Sequence, residues 1–513
     1  MQDFPLKIVR QCCKIMKYRN WFVFFTIHMI CFILHTTHTF ATTIEAASCS
    51  LAHVQTAVSS AGRGDTVIVP AGSCKWAGTL SITKAIILQG AGAGRTIITS
   101  NFIPSTKVDG MGSGESLIFF KSSNIASDTN TNLRITGFTF DLNHKTSGIL
   151  INNFSTTPLN KLRIDNNTFL NCYYGGTTSF NWYSTIMTYG TVYGVIHSNT
   201  FSSGVPHLTF MGWNDNTWNS RTYKYGGADN IFLEDNDITA ETDPGFVPDV
   251  GTGASVVYRY NTFRLKFDAY TGVFSIHGNV GAQNVYAAMG GEHYGNRIIS
   301  DYSNTIQTFE LRGGMSMTFY NKVTAGSNYS KVQEYEGNGR GADDGSLTNY
   351  FCPSGTLYAG SKSCAADGQP QHVWKTYIWN NRLGAETVAG SVLSVTNLKS
   401  ISPEKMLREN VDFWKDNPAC IGSSCTTGVG CGTIDNLPES CTVGVAYWAT
   451  DQSCSSVPIA SVGKNPIRPI SGTLYRCGPT NKWSPYYTPY TYPHPLRTEE
   501  SAISAPKGFK LVN

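Results

Sequence analysis

A short phrase recurs along the middle of this chain and constrains its fold more than any other feature. An asparagine, then any residue, then a large apolar residue closes one strand-like segment after another, at Asn167, Asn199, Asn236, Asn261, Asn296 and Asn321. Successive asparagines are 32, 37, 25, 35 and 25 residues apart. Such a period with insertions is typical of a solenoid, whose units bury their apolar faces only against neighbouring units. Because each unit is strand-like, the sequence predicts a parallel β-helix.

The repeated asparagines themselves have a structural explanation. Asparagine tolerates left-handed backbone at a tight turn, and amides stacked on successive coils can hydrogen-bond to one another. We therefore expect these side chains to form one line along the solenoid and to carry little chemistry.

Residues 1–41 have the pattern of an export signal. Basic side chains precede an apolar run over residues 21–34, which is short for a membrane-spanning helix and suits a signal peptide. Met16 is an alternative start, and an uncleaved anchor is the alternative to secretion.

Without residues 1–41 the chain carries 34 basic and 34 acidic residues. This neutral balance gives no reason to expect nucleic acid or, after signal cleavage, a membrane as partner, and we expect a monomer.

Cysteine usage agrees with export, because local clusters of cysteine are typical of disulfides in secreted chains. Cys49 with Cys74, and Cys352 with Cys364, are predicted to pair, which leaves Cys172 as a buried free thiol. Six more cysteines crowd residues 420–477, and their pairing stays open. A zinc site there is an alternative, although the spacings fit no common ligand pattern.

The N-terminal part resembles the entry of pectate-lyase-like right-handed β-helices. A short helical segment is followed by Gly64-Asp65-Thr66, a Pro-containing Gly turn at Gly72, and Gly90-Ala91-Gly92 after an apolar strand. The resemblance implies a right-handed parallel β-helix of about ten coils, over residues 42–383 with its N-terminal cap. Residues 384–513, rich in Cys, Pro and aromatic side chains, are predicted to pack back along the helix. No activity signature of any one family is matched. The pectate-lyase motifs Trp-x-Asp-His and Arg-x-Pro-x-x-Arg are missing. In polygalacturonases an Asp-Asp pair precedes the motif histidine, whereas here Asp343-Asp344 follows His277.

The candidate site comes from aligning the coils on their asparagines. His277 and Arg312 each fall 16 residues after their asparagine, so stacked coils would bring them to about 4.8 Å between backbones. Alternation predicts that Glu310 shares their face. Further side chains are expected to border this cluster and contact substrate, namely Trp213, Trp218, Arg221, Glu292 and Tyr302.

This cluster suits β-elimination of a uronide polysaccharide. The reaction needs a base for the proton beside the carboxylate and a cation to neutralise that carboxylate. His277 and Arg312 would fill these roles in either order, and Asp249 or Glu310 could hold Ca²⁺, although no acidic run resembles a calcium loop. Hydrolysis, which needs two carboxylates flanking the bond, is a second class. A non-catalytic glycan-binding or adhesion protein is the third.

Overall fold

The computed structural model describes residues 41–104, 115–153, 155, 157–172, 184–204, 206–212, 223–241, 249–251, 253–266, 272–276, 288–300, 306–311, 313–325, 332–336, 357–358, 362–363, 373, 375–383, 394–396 and 408–498. For residues 272, 306–311, 325, 332–336, 357–358, 362–363, 383 and 394–396 only the backbone is described. The compact unit begins at Thr42.

The chain forms a right-handed parallel β-helix with three long parallel sheets, which we call sheets I, II and III. Sheet I contains β1 Thr43–Glu45, β2 Thr66–Val69, β5 Ile87–Gly90, β8 Leu133–Thr136, β11 Leu159–Asp165, β14 Val192–His197, β17 Ile231–Glu234, β20 Ser255–Arg259, β23 Gly290–Tyr294, β26 Met315–Phe319, β31 Thr376–Trp379 and β34 Phe413–Lys415. Sheet II contains β3 Gly72–Trp76, β6 Thr96–Ser100, β9 Thr139–Asp141, β12 Thr168–Cys172, β15 Thr200–Gly204, β18 Asp237–Ala240, β21 Thr262–Leu265, β24 Arg297–Ser300, β27 Lys322–Ala325 and β32 Arg382–Leu383. Sheet III contains β4 Leu80–Ile82, β7 Ser116–Lys121, β10 Ser147–Asn153, β13 Ile186–Gly190, β16 Leu208–Met211, β19 Asp249–Gly251, β22 Gly272–Ile276, β25 Ile306–Leu311, β28 Val332–Glu336 and β33 Ser394–Thr396.

Each coil visits the sheets in the order I, II, III. The ten strands of sheet II and the ten of sheet III correspond to ten described coils, the number that the sequence predicts. Strand pairing continues past Leu383, because β33 pairs with β28 in sheet III and β34 with β31 in sheet I.

The repeated asparagines form a continuous ladder at the turn from sheet I to sheet II, which confirms the predicted line. Each Nδ2 donates to the Oδ1 of the next asparagine at 2.9–3.2 Å, from Asn167 to Asn321, and the ladder continues to Asn381. Every member is buried. The left-handed residue of the turn is the one before each ladder asparagine, as at Asn166 (φ 53°) and Tyr260 (φ 57°). The asparagine itself therefore serves as hydrogen-bond donor and acceptor.

Helix α1 (Leu51–Ser60) covers the first coil with Val54, Ala57 and Val58. The predicted Cys49–Cys74 disulfide ties this cap to β3, and a second short helix, α2, spans Ile125–Asp128. Cys172 is buried and free, as predicted, and burial raises its pKa to about 12. Cys352 and Cys364 lie outside the described residues.

The C-terminal extension is held by three disulfides, Cys420–Cys425, Cys431–Cys454 and Cys441–Cys477. It contains a four-stranded sheet of β36 Val429–Gly432, β38 Ala446–Ala449, β39 Thr473–Cys477 and β40 Trp483–Tyr487, together with the pair β35 Ser424–Cys425 and β37 Ser440–Cys441. Single 3₁₀ turns span Ile434–Asn436, Ile459–Ser461 and Pro495–Arg497. The strands β29 Leu357–Tyr358 and β30 Lys362–Ser363 form a separate antiparallel pair.

Candidate functional site

The C-terminal extension covers the outer face of sheet I from β11 to β31. Its strand register builds an outward column that runs Asp165, His197, Glu234, Arg259, Tyr294, Phe319 and Trp379. The extension runs back along this column: Trp448 packs on Trp379, and the carbonyl of Leu496 accepts from Arg163, a neighbour of the column, at 2.9 Å. This face is therefore an internal interface.

Charges on that interface are closely paired. Arg259 donates to Glu234 at 2.8 Å and to the carbonyls of Tyr490 and Thr491 at 2.6 and 2.8 Å. Glu234 also accepts from Arg497 at 2.9 Å. Although burial alone raises it, Arg259 and Arg497 hold the pKa of Glu234 below its usual value.

Glu292 lies on this same interface, which differs from its expected place beside His277. It belongs to β23 in sheet I and is fully buried. Its carboxyl group accepts from the backbone N–H of Gly226 at 2.7 Å and contacts the Tyr487 hydroxyl at 2.8 Å. Burial raises the pKa of Glu292 to about 7, against the opposing effect of these hydrogen bonds. Glu292 therefore anchors the extension instead of contacting an external ligand.

The next residue, His293, points the other way, into the helix interior. Its ring stacks on Phe274 at 4.7 Å between centroids, and burial lowers its pKa to about 3. The neutral ring is a core side chain. Alternation along one strand thus assigns Glu292 and His293 to two different buried environments.

Sheet III presents a different outer face. Phe210, Val250 and Ile276 pair in register and belong to the main core, so they point inward. Their neighbours Thr209, Asp249 and Ser275 also pair in register and therefore point outward. The backbone of Ser275 pairs with that of Glu310 on the next coil. We call the register positions of Thr209, Asp249, Ser275 and Glu310 the polar column.

The polar column continues an apolar patch towards the N-terminal end of the same face. Leu150, Met187, Tyr189 and Met211 form a cluster separate from the main core, with Phe119 packed against it. Leu150 pairs with Met187, which pairs with Thr209. Side chains on this face thus change from apolar to polar over consecutive coils, and Leu150, Met187, Thr209, Asp249 and Ser275 are all buried.

Two further side chains meet the polar column at the start of their strands. The Oγ of Ser184 lies 3.2 Å from Nδ1 of His207 and 2.5 Å from Oγ1 of Thr209. The Nε2 of His207 lies 4.0 Å from Oδ2 of Asp249. Ser184, Thr209 and Asp249 are buried, whereas the side chain of His207 is 17% exposed. Solvent therefore reaches this cluster at the histidine ring.

The remaining sequence-predicted site residues lie outside the described part of the chain: His277, Arg312, Trp213, Trp218, Arg221 and Tyr302, as well as the side chain of Glu310. Strands β22 and β25 pair Ile276 with Leu311, the residues immediately before His277 and Arg312. On the preceding coil Val250 pairs with Ile276, so Gly251 occupies the position that corresponds to His277.

The outer face of sheet II carries stacked hydroxyl groups. Thr139, Thr168 and Thr200 pair in register on three successive coils. Further along, the face becomes charged, with Arg264 3.5 Å from Asp237. Arg264 is 44% exposed there. Unlike sheet III, this face brings together no histidine–carboxylate pair among the described residues.

Ser184 and His207 were missed by sequence reasoning. They stand just before the strands Ile186–Gly190 and Leu208–Met211. The repeated asparagine fixes the turn from sheet I to sheet II, and insertions of unequal length separate it from sheet III. Counting from the asparagine therefore could not assign these two residues to positions on sheet III.

Within the described ranges no group of three or more His, Cys, Asp or Glu side chains is placed to hold a metal ion. No described helix combines the length and apolar character needed to cross a membrane. Comparison with family models, with curated proteins and with solved structures gave no match. The four described disulfides fit an extracellular protein.

Proposed function

We propose that this chain is a secreted, polysaccharide-active β-helix protein that cleaves an acidic, uronide-containing polysaccharide by β-elimination on the outer face of sheet III. The observation that carries the proposal is the polar column, where Asp249, Ser275 and Glu310 follow one another on adjacent coils. Adjacent strands repeat at about 4.8 Å, so the outward positions of this face recur at an even spacing that an extended chain of sugars can follow.

The chemistry requires a base and a positive charge close together. His277 takes the proton beside the substrate carboxylate and Arg312 neutralises that carboxylate, or the two exchange roles. The pairing of Ile276 with Leu311 supports this, because it aligns the residues that precede them. Trp213, Trp218, Arg221 and Tyr302 are proposed to contact the sugars. Ca²⁺ held by Asp249 or Glu310 is an alternative source of positive charge, which assays with and without a chelator distinguish.

The test is incubation of the purified protein with a panel of uronides while absorbance from unsaturated chain ends is followed. His277→Ala and Arg312→Ala should each lower turnover by about 100-fold, as loss of a general base or of a charge stabiliser does. Arg264→Ala, on the exposed face of sheet II, is the matched control and should retain turnover. Absence of unsaturated ends with every uronide, from a folded protein, would reject the lyase.

A non-catalytic glycan-binding or adhesion role is the second candidate, and the face of sheet II favours it. Thr139, Thr168 and Thr200 form a hydroxyl line over three coils, which suits hydrogen bonding to a neutral surface. This alternative predicts glycan binding without turnover. Thr168→Val with Thr200→Val should then weaken binding, whereas His277→Ala should not.

A further inference from the structure

Ser184, His207 and Asp249 converge from three successive coils on the outer face of sheet III. They stand just before or within β13, β16 and β19. The backbone holds the first two in place, since Thr185 N–H donates to the carbonyl of His207 at 2.7 Å and Gly148 N–H donates to the carbonyl of Ser184 at 3.1 Å. These hydrogen bonds position the two residues just before the strands Ile186–Gly190 and Leu208–Met211.

The geometry has the order of a nucleophile, a base and an orienting carboxylate. Nδ1 of His207 lies 3.2 Å from the Ser184 oxygen, and Nε2 faces Asp249 at 4.0 Å. With its proton on Nε2, the ring faces the carboxylate at 4.0 Å, beyond hydrogen-bond distance, and offers Nδ1 as acceptor for the serine O–H. Serine becomes a nucleophile when such a base removes its proton and a third group orients the base.

Thr209 adds a second polar contact to the serine. Its Oγ1 lies 2.5 Å from Ser184 Oγ, and once Ser184 donates to His207, the threonine hydroxyl is left to donate to the serine oxygen. A donor at that position stabilises negative charge that develops on the oxygen.

We propose that Ser184, His207 and Asp249 form a serine-dependent esterase site for small carboxylic acyl esters. Ser184 Oγ attacks the ester carbonyl while His207 Nδ1 takes its proton. The alcohol leaves with that proton, and an acyl-serine remains. Water then attacks the acyl-serine, losing its proton to His207, and releases the carboxylic acid and free serine. Ser184 is buried and only the His207 side chain of this cluster is partly exposed, so the proposal is restricted to a small acyl group such as acetate.

The assignment of an O-acylated polysaccharide as the natural ester rests on the proposed function, because such a polysaccharide would lie along the same face. Ester hydrolysis itself does not depend on it. Failure of one is therefore distinguishable from failure of the other: acid release reports Ser184, and unsaturated chain ends report the β-elimination.

The experiment uses the full secreted chain with p-nitrophenyl acetate and with a fluorophosphonate probe that labels activated serines. The native protein should hydrolyse the ester and take up one label at Ser184, located by peptide mapping. Ser184→Ala should lose the label and at least about 100-fold of the ester rate. Ser202→Ala, a half-buried hydroxyl on the face of sheet II, is the matched control and should keep both.

Asp249 acts through His207 and is a positioning residue. Asp249→Asn should lower kcat and shift the pH midpoint of the ester rate downwards, because the charged imidazole loses the carboxylate that stabilises it. A structural network without catalysis predicts lower stability but no pH shift. A folded native protein that takes up no label, a label that persists in Ser184→Ala, or equal ester rates in Ser184→Ala and Ser202→Ala would each overturn the proposal.

Discussion

The outer faces of sheets I and III are built by the same alternation but are used in opposite ways. On sheet I, Glu234 and Arg259 meet each other and then the backbone and side chains of the extension. On sheet III, Ser184, His207 and Asp249 meet one another and keep one solvent-reaching ring. One face has its polar groups committed to holding the chain together, and the other has a compact polar cluster in which the His207 side chain is partly exposed.

The difference teaches that outward polar residues of a β-helix do not identify a site by themselves. Glu292 carries a strongly raised pKa, a property often associated with active sites, yet it lies under Tyr487 in the internal interface. Coverage by the extension, and not the residue type, decides whether an outward charge stabilises the fold or remains for chemistry. The predictions below test this division.

The largest expected effect is on sheet I, at Glu234. Glu234→Ala leaves the guanidinium of fully buried Arg259 without its carboxylate, which should lower the free energy of unfolding by about 3–5 kcal/mol. Denaturant titration measures this. Arg264→Gln removes an exposed ion pair and should cost at most about 1 kcal/mol. Asp249→Asn on sheet III should fall well below Glu234→Ala, and equal losses would break the comparison.

The second prediction concerns pH and Glu292. Its folded pKa of about 7 lies above its unfolded value of 4.5, so the folded state holds a proton that the unfolded state releases. The associated stability is fully present below pH 4.5 and is lost as pH rises through about 7, a change on the order of 3 kcal/mol.

Glu292→Gln imitates the protonated form and should remove this pH dependence, making the variant the more stable protein above pH 7. Unfolding free energies at a series of pH values between 4 and 8 measure it. Glu234→Gln is the contrast, because the pKa of Glu234 is lowered and its contribution is lost as pH falls. Buried His197, His293 and His494 have lowered pKa values and oppose Glu292 over this range, so the difference between the native and Glu292→Gln profiles is the measure. A difference that does not change with pH would mean that Glu292 is ionised in place.

Much of the architecture could be predicted from the sequence because it is local and repeated. The asparagine line, the Cys49–Cys74 pair and the free Cys172 follow from spacing and composition, and the number of coils follows from the resemblance to pectate-lyase-like β-helices. The path of the extension over sheet I could not be read this way, since Arg259 and Tyr490 are 231 positions apart and no period connects them. The sequence predicted only that the extension packs back along the helix.

The candidate site was predicted less completely, for a physical reason. The number of residues between a side chain and the ladder asparagine predicts the sheet of that side chain only when the connecting segment has a constant length. Glu292 stands four residues before Asn296, and the residues just before a ladder asparagine lie on sheet I, so its sheet could be predicted from the sequence. The register of Asp249 with Ser275, by contrast, does not follow from counting, because insertions of different lengths separate the ladder from sheet III.

The smallest expected effect tests whether the extension is held by many modest contacts. The hydroxyl of Tyr492 donates to both carboxyl oxygens of Asp235, at 3.0 and 2.9 Å. Asp235 keeps Arg497 and the backbone N–H of Asn465 as partners when that hydroxyl is removed. Tyr492→Phe should therefore lower the free energy of unfolding by only about 1 kcal/mol.

Tyr475→Phe, which alters a half-buried tyrosine of β39, is the matched control and should change the unfolding free energy by less than about 0.5 kcal/mol. Ester and uronide turnover should be unchanged in both variants, because neither tyrosine lies on sheet III. Loss of turnover in Tyr492→Phe with unfolding free energy intact would show that the two faces are coupled. The division between a holding face and a reacting face would then have to be abandoned.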